Sequence, residues 1–335
     1  MWINQFKLKL AVNAIFLGIY VCASVIPSKN IERTLGKRII GGEYAHPSSS
    51  GFAVMIQINF GSEGLFMCGG SIISNQYILT AAHCLSSDKK AASEQMITVG
   101  LGSNNMNSLM QMPAKRLIVH PQWDANTVKN DIALIKVDTM AFSNDLYPIS
   151  LPSSAVPTNA QVYALGWGRT NSQNSDISSI LKKASLVTGN INACVNINPS
   201  AQRNPEALIC TINNITRQDT CVGDSGGPLV AISVQNSDRS VKSHKISDTF
   251  KPDRSINSQK ISDTFRPDQR RVDKHFGDIK RRNSNTKKSQ VLVGITSFGT
   301  NNIGQGDSKC GSENAIGFYT NILYFRDWIR SVAAI

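Results

Sequence analysis

The sequence predicts an all-β body closed by a C-terminal α-helix, and two patterns carry that reading. Short β-type runs recur at 52–58, 76–80, 96–99, 116–119, 131–137, 162–165, 207–209, 229–232 and 291–297. Clusters of Gly, Asn, Ser and Pro separate them, as in a sandwich or barrel. Residues 321–334 change period. Ile322, Phe325, Ile329 and Val332 recur at helical spacing, with Thr320 or Asn321 placed to cap the first turn. A chain of 335 residues holds one large β domain or two smaller ones, and either buries a substantial core.

In chain order, a leader comes first. Lys7 and Lys9 give residues 1–23 a basic start, 10–21 is mostly apolar, and Val21-Cys22-Ala23 closes it in the manner of a secretory signal. A membrane anchor is the competing reading, but the run is shorter than the ~20 residues a spanning helix needs. Asn13 also interrupts it. The expectation is a secreted, extracellular protein without a membrane anchor. A polar, basic stretch, 24–38, follows and ends at Arg38; the β texture begins at Ile39-Ile40-Gly41-Gly42.

Cys22 would leave with the leader. Cys68, Cys84, Cys194, Cys210, Cys221 and Cys310 remain, an even number that implies three disulfides in an exported chain, with connectivity open. No Cys-x-x-Cys pair suggests zinc, and no metal or cofactor is expected. The net charge of +12 is concentrated: 1–38 contributes +5 and 233–290 contributes +8, leaving the rest at −1. The basic balance therefore says little about the body's own ligand.

Residues 233–290 break the β pattern. They are rich in Ser, Asp, Asn, Lys and Arg, and they repeat Lys245 to Arg254 imperfectly at Lys260 to Gln269. Two copies of so short a period do not make a solenoid. Low apolar content predicts a disordered insertion. Its closure is cheap, at about 0.6 kcal/mol per doubling of loop length. A solvated loop is the plain reading, and contact with a polyanion is the functional one.

The chemistry concentrates at Asp219-Thr220-Cys221-Val222-Gly223-Asp224-Ser225-Gly226-Gly227-Pro228. A serine on a glycine-rich turn suits acyl transfer when a base lies nearby. Among five histidines, His83 ends an apolar run beside Cys84; His46 and His120 precede prolines, and His244 and His275 lie in the insertion. Asp131 heads the run 132–137, where a carboxylate can hold a histidine's second ring nitrogen. Taken singly, His83 reads as a structural histidine and Asp131 as a turn residue.

Together they form a pattern. Ile39-Ile-Gly-Gly, Thr80-Ala-Ala-His-Cys, Asp131-Ile-Ala-Leu-Ile, Gly166-Trp-Gly168 and Gly223-Asp-Ser-Gly-Gly-Pro228, in this order, resemble the chymotrypsin/trypsin family of serine endopeptidases. The resemblance implies two six-stranded antiparallel β-barrels over 39–335, with the active site between them. It implies Ser225 as nucleophile, His83 as base, Asp131 as its orienter, and the N–H groups of Gly223 and Ser225 as the oxyanion hole. Asp219 would floor the primary pocket, Gly299 and Gly317 would form its small walls, and Ser297 would also bind substrate. Cleavage would then follow Arg or Lys. A cut after Arg38 would free an Ile39 ammonium to pair with Asp224, making 24–38 an activation propeptide and the chain a zymogen.

The pairings implied are Cys68 with Cys84, Cys194 with Cys210 and Cys221 with Cys310. Protein or peptide substrates bearing Arg or Lys, and serine protease inhibitors, would be the partners of a monomeric enzyme. The alternatives are an altered specificity, or a non-catalytic homologue that binds partners through its basic loop. The sequence also departs from the family. Val162 and Ala231 replace a further disulfide, and 102–112 lacks a carboxylate for calcium. Phe298 replaces the usual tryptophan on the cleft wall and Ile316 the usual proline. Asn214-Ile215-Thr216 is an N-glycosylation acceptor motif.

Overall fold

The computed structural model describes residues 42–86, 90–170, 176–198, 201–202, 204–212, 218–235, 287–300, 310 and 315–335. The leader, Arg38, Ile39, the Asn214 acceptor and 236–286 lie outside the described residues, and with them the expectation of disorder in the insertion.

Nearly all regular structure is antiparallel β. A two-residue strand, β1 (Glu43–Tyr44), precedes β2 (Ala53–Asn59), β3 (Leu65–Ile72) and β4 (Tyr77–Thr80). The one-turn helix α1 (Ala82–Leu85) leads on to β5 (Ile97–Leu101), β6 (Met110–Pro113), β7 (Arg116–Val119) and β8 (Ala133–Lys136). The second half comprises β9 (Gln161–Gly166), β10 (Lys182–Thr188), helix α2 (Ile191–Ile197), β11 (Leu208–Ile212), β12 (Pro228–Gln235), β13 (Lys287–Thr300) and β14 (Ile316–Asn321), then helix α3 (Ile322–Ala333).

The second half closes on itself. Its order is β10-β11-β14-β13-β12-β9, and β9 returns to β10 through six residue pairs, from Lys182 opposite Gly166 to Val187 opposite Gln161. That makes a six-stranded barrel, with β1 added at Lys182 and Lys183 of β10. The first half runs β6-β5-β2-β3-β4-β8-β7. Among the described residues no pairing joins its β6 and β7 edges, so it is a half-barrel of seven strands. The expected all-β architecture in two halves with its C-terminal helix is present, with one half a closed six-stranded barrel and the other a half-barrel of seven strands where six closed ones were expected.

Local sequence explains most elements. Central strand β2 begins with Ala53, Val54, Met55 and Ile56, all buried, because neighbours cover both of its faces. Five strands, β1, β3, β6, β10 and β14, fall outside the β-type runs of the sequence, and the reason is visible for three of them. In β3, Gly69-Gly70 reads as a turn, yet a Cβ on Gly70 would sit 2.8 Å from Ile78 Cγ2 and one on Gly69 2.7 Å from Gly227 Cα. Close packing, not turning, requires glycine there. In β10 burial alternates residue by residue, but two lysines hide the alternation. Lys182 is only 2% exposed, with Nζ 3.2 Å from the centre of the Tyr44 ring, a cation–π placement. In β14 the alternation is lost because Ile316 to Thr320 are all buried.

The hairpin of β12 and β13 runs from Pro228 opposite Ile295 to Gln235 opposite Lys287. Pairing therefore extends into both ends of 233–290. Val162 and Ala231 stand directly opposite each other in the β9–β12 ladder, which is why both are apolar where a bridge is absent. The three disulfides join Cys68 to Cys84, Cys194 to Cys210 and Cys221 to Cys310. The first ties α1 to β3.

Of the two proposed caps, Asn321 caps α3: its Oδ1 accepts from Leu323 N at 3.1 Å, while its Nδ2 donates to Glu206 O at 2.9 Å. Ile322, Phe325, Ile329 and Ala333 are buried beneath the helix. Replacing Asn321 by Ala should cost ~1 kcal/mol in urea unfolding, and Asn321→Asp should recover most of it. A silent Ala variant would remove the cap from the account of how this helix is held.

Candidate active site

The site begins with a turn of helix. β4 ends at Thr80, and α1 carries His83 between Ala82 and Cys84, both buried. His83 therefore sits on a helical turn rather than at the strand end the sequence suggested, pinned by the disulfide of its neighbour. Its side chain keeps 30% of its surface exposed.

Asp131 lies just before β8 and is 2% exposed. A charge so buried is tolerable only when its lone pairs are taken, and they are. Oδ1 accepts the His83 backbone N–H at 2.9 Å, and Oδ2 accepts His83 Nδ1–H at 2.8 Å and the Ser297 hydroxyl. Thr320 Oγ1 donates to the Asp131 carbonyl at 2.7 Å. The loop ahead of Asp131 is tied by mutual backbone hydrogen bonds between Asp124 and Lys129. It places Asn130 at φ 56° and Val128 at φ 54°, a backbone region that Asn tolerates and a β-branched residue rarely enters.

Burial opposes the charged form of both partners, and their attraction overcomes it. For His83, burial pulls downward, but the Asp131 charge and hydrogen bond hold the imidazole above its usual value. For Asp131, burial pushes upward, yet the His83 charge and the three donors keep the carboxyl below its usual range.

Ser225 stands on the turn before β12. Its carbonyl accepts from Gly69 N at 2.7 Å, so β3 of the first half seats the turn of the second. Gly226 has φ 76°, and a Cβ there would lie 2.3 Å from Thr80 Oγ1, so glycine is required. Gly223 has φ 96°. Among the described residues the N–H groups of Gly223 and Ser225 donate no hydrogen bond, and none runs from Ser225 Oγ to His83. Such contacts commonly tighten only when substrate is bound.

Asp224 is wholly buried. Its Oδ1 accepts from Gly168 N and its Oδ2 from Cys221 N, both at 2.8 Å. A Cβ on Gly166 would meet Oδ1 at 2.0 Å and one on Gly168 would meet Cγ at 2.5 Å. The Gly166-Trp-Gly168 motif, which the sequence offered without a role, is thus the recess for this carboxylate. Burial pushes Asp224 up to about 7 against those two hydrogen bonds, with Asp219's charge adding to the rise. No cation contacts it among the described residues.

A cavity of about 190 Å³ opens beside Ser225, lined by Asp219, Thr220, Val222, Thr296, Ser297, Phe298 and Gly299 among others. Thr220 Oγ1 lies 3.3 Å from the hydroxyl of Tyr319. That phenol is held far above its usual value by burial and by Asp219's charge. A Cβ on Gly299 would meet only Ile316 O, at 3.6 Å. Gly317, its partner across the ladder, is not part of the lining; a Cβ there would press on Thr211 and Tyr319. Ser297 lines the cavity, but its hydroxyl is turned to Asp131. Phe298 stacks on Phe318 with ring centres 4.9 Å apart. Cys68, His83 and Cys84 also cluster, but both sulfurs are bonded to each other and offer no thiolate to a metal.

The family model described as Trypsin matches residues 39–243, more than half of the chain. The chain belongs to the trypsin-like serine protease family. Among curated relatives, transmembrane protease serine 11G of Mus musculus is 25% identical over 301 residues, covering 89% of this chain and 56% of that protein. The Rattus norvegicus protein of the same name is 25% identical over 297 residues, covering 88% and 55%. The chain thus spans about half the length of the curated relatives it matches. The Trypsin match stops inside the insertion, and β13, β14 and α3 complete the fold beyond it.

Two site residues carried no sequence signal of their own: Thr320, which holds the Asp131 backbone, and Gly69, which meets the Ser225 turn. Only their contacts reveal them. The His83–Asp131 pair also sets a pH window. Asp131's contribution to stability is present above about 3.8 and is lost as pH falls through its lowered value; His83's is present below about 6.5 and is lost as pH rises through its raised value. In Asp131→Asn the charge is gone and burial remains, so the His83 titration followed by NMR should fall below 6.5. An unmoved titration would show that the pair does not set it.

Proposed function

We propose that the chain is a serine endopeptidase that cleaves after Arg or Lys. The observation that carries the reading is the buried Asp131 carboxylate, shared between His83 and Ser297, beside a cavity that also holds Ser225 and Asp219. A binding protein has no physical need for this arrangement.

In the proposed reaction Ser225 Oγ attacks the scissile carbonyl carbon and its proton passes to His83 Nε2. Asp131 keeps the proton of Nδ1 in place and stabilises the imidazolium. The N–H groups of Gly223 and Ser225 receive the oxyanion, each such donor typically worth about 3 kcal/mol. His83 then protonates the leaving amine, and the C–N bond breaks to give an acyl-Ser225. Water, deprotonated by His83, attacks this ester and frees the acid and Ser225. Asp219 attracts the substrate's cationic side chain into the cavity, where a buried carboxylate gains strongly from a partner. Gly299 keeps the entrance open.

A fluorogenic Arg substrate tests the reading. Ser225→Ala should lower kcat on the order of 10⁶-fold, and Asp219→Ser should remove the preference for basic residues. Activity that survives Ser225→Ala would overturn the mechanism.

The chain is further proposed to be made with a leader at 1–23, exported, and held inactive until cut after Arg38. Asp224 supports this. Its value in the fold, about 7 against 3.8 unfolded, gives stability that is complete below 3.8 and lost as pH rises through 7. Ionising it without a partner costs on the order of 4 kcal/mol. An Ile39 ammonium would remove that cost. Arg38→Gln should then be exported but silent. On a Ser225→Ala background, the form beginning at Ile39 should melt above the uncut form, by a gap that widens from pH 5 to 8. A gap that ignores pH would count against the pairing. No helix among the described residues is long and apolar enough to cross a membrane. The relatives named as transmembrane make retention of the 10–21 run as an anchor the rival reading. Mass spectrometry of the mature N-terminus separates the two.

A further inference from the structure

The His83 imidazole has a second neighbour besides Asp131. Its Nε2, the nitrogen left free by the bond at Nδ1, lies 3.9 Å from Cys84 Sγ. One donor atom from each of Cys68, His83 and Cys84 falls within 4.8 Å of the other two. While the bridge between Cys68 and Cys84 is closed, the cluster offers a metal one ring nitrogen and no thiolate. Opening the bridge changes that. It yields two thiols beside an imidazole, a donor set that suits zinc and leaves a fourth position to water.

Three features prepare this set for a tetrahedral ion. Metal–sulfur bonds of about 2.3 Å and metal–nitrogen bonds of about 2.0 Å place such donors roughly 3.5–3.8 Å apart. The distance from Nε2 to Cys84 Sγ is already close to that. The Cα atoms of Cys68 and Cys84 are 6.3 Å apart, so side-chain rotation can part the sulfurs while β3 and α1 stay in place. Asp131 Oδ2 accepts from His83 Nδ1–H at 2.8 Å. A carboxylate placed behind a histidine in this way fixes the tautomer, aims the other nitrogen and strengthens it as a ligand. Because Nδ1 faces the buried Asp131, the 30% of the His83 side chain that stays exposed lies toward Nε2 and gives an ion its way in.

We propose that Cys68, Cys84 and His83 Nε2 form a redox-dependent site for a thiophilic divalent cation such as zinc, created when a dithiol reduces the bridge. The reductant's two thiols close to a disulfide and pass two electrons and two protons to Cys68 and Cys84. The cation then displaces both thiol protons to solvent and takes the Nε2 lone pair. That lone pair is the one that would receive the Ser225 proton, so the loaded enzyme is inactive. This last consequence rests on the proposed mechanism; the metal site itself does not.

Cobalt(II) is the probe, because thiolate coordination gives it charge-transfer and tetrahedral visible bands. The full Ser225→Ala chain is titrated with it before and after reduction by a thiol-free phosphine, while circular dichroism follows the fold. Thiolate–cobalt bands should appear only after reduction, and the double variant Cys68→Ser, Cys84→Ser, treated alike, should lack them. Asp131→Asn, which removes the charge behind Nδ1, should weaken binding about 10–100-fold. Equal bands in the double variant, no bands in the reduced chain, or unfolding before cobalt is taken up would overturn the site. In reduced, active wild type, zinc should abolish cleavage of the fluorogenic Arg substrate and a chelator should restore it, with the unreduced enzyme unaffected. Equal activity with and without zinc would overturn the inhibition. A wild type that cuts no peptide yet gives the cobalt bands would overturn the catalytic reading and leave the metal site standing.

Discussion

The buried carboxylate of Asp131 is the constraint on which the rest of the site depends. Left unpaired, it would be too costly to keep in the interior. It is kept because α1 of the first half supplies two donors from His83 and β13 of the second half supplies the Ser297 hydroxyl, while Thr320 of β14 holds the Asp131 backbone carbonyl. Satisfying one charge thus requires both halves to be folded and docked. The same contacts leave one face of His83 accessible and oriented. A second join, Gly69 N to Ser225 O, ties β3 to the serine turn. Stability and site geometry therefore rest on the same few hydrogen bonds, so changes here should rarely affect only one of them.

Asp224 shows the opposite arrangement. It too is wholly buried, but its partners among the described residues are two backbone N–H groups and no cation. Its carboxyl is accordingly pushed up where Asp131's is held down. The two buried aspartates, Asp131 and Asp224, are thus distinguished by partners rather than by depth. The glycines at 166 and 168 that seat Asp224 are required by contacts a Cβ would make at 2.0 and 2.5 Å, not by turn geometry.

Much of this was legible in order along the chain. His83, Asp131 and Ser225 each stand in a short motif, and five motifs in one order specified a family that the Trypsin match bears out. The strands with strong apolar runs were legible too. β3 and β10 were not, because a sequence cannot distinguish a glycine needed for a turn from one needed for close packing, or a buried lysine from a solvated one. The ladder reaches into both ends of 233–290, where Ser289 and Gln290 look like loop residues until their pairing with Ser233 and Ile232 is seen.

Taken alone, the sequence determined the fold class, two candidate caps for α3, the set of six paired cysteines and the residues on which chemistry could rest. Those features are local or recur as ordered motifs. Only the tertiary structure decided which groups are satisfied and which are left over. It turned the Ser297 hydroxyl to Asp131, kept Gly317 out of the cavity lining and, among the described residues, left the Thr296 hydroxyl buried without a partner. Hydrogen bonding between residues more than a hundred positions apart depends on register and docking, and neither is written in any one stretch of chain.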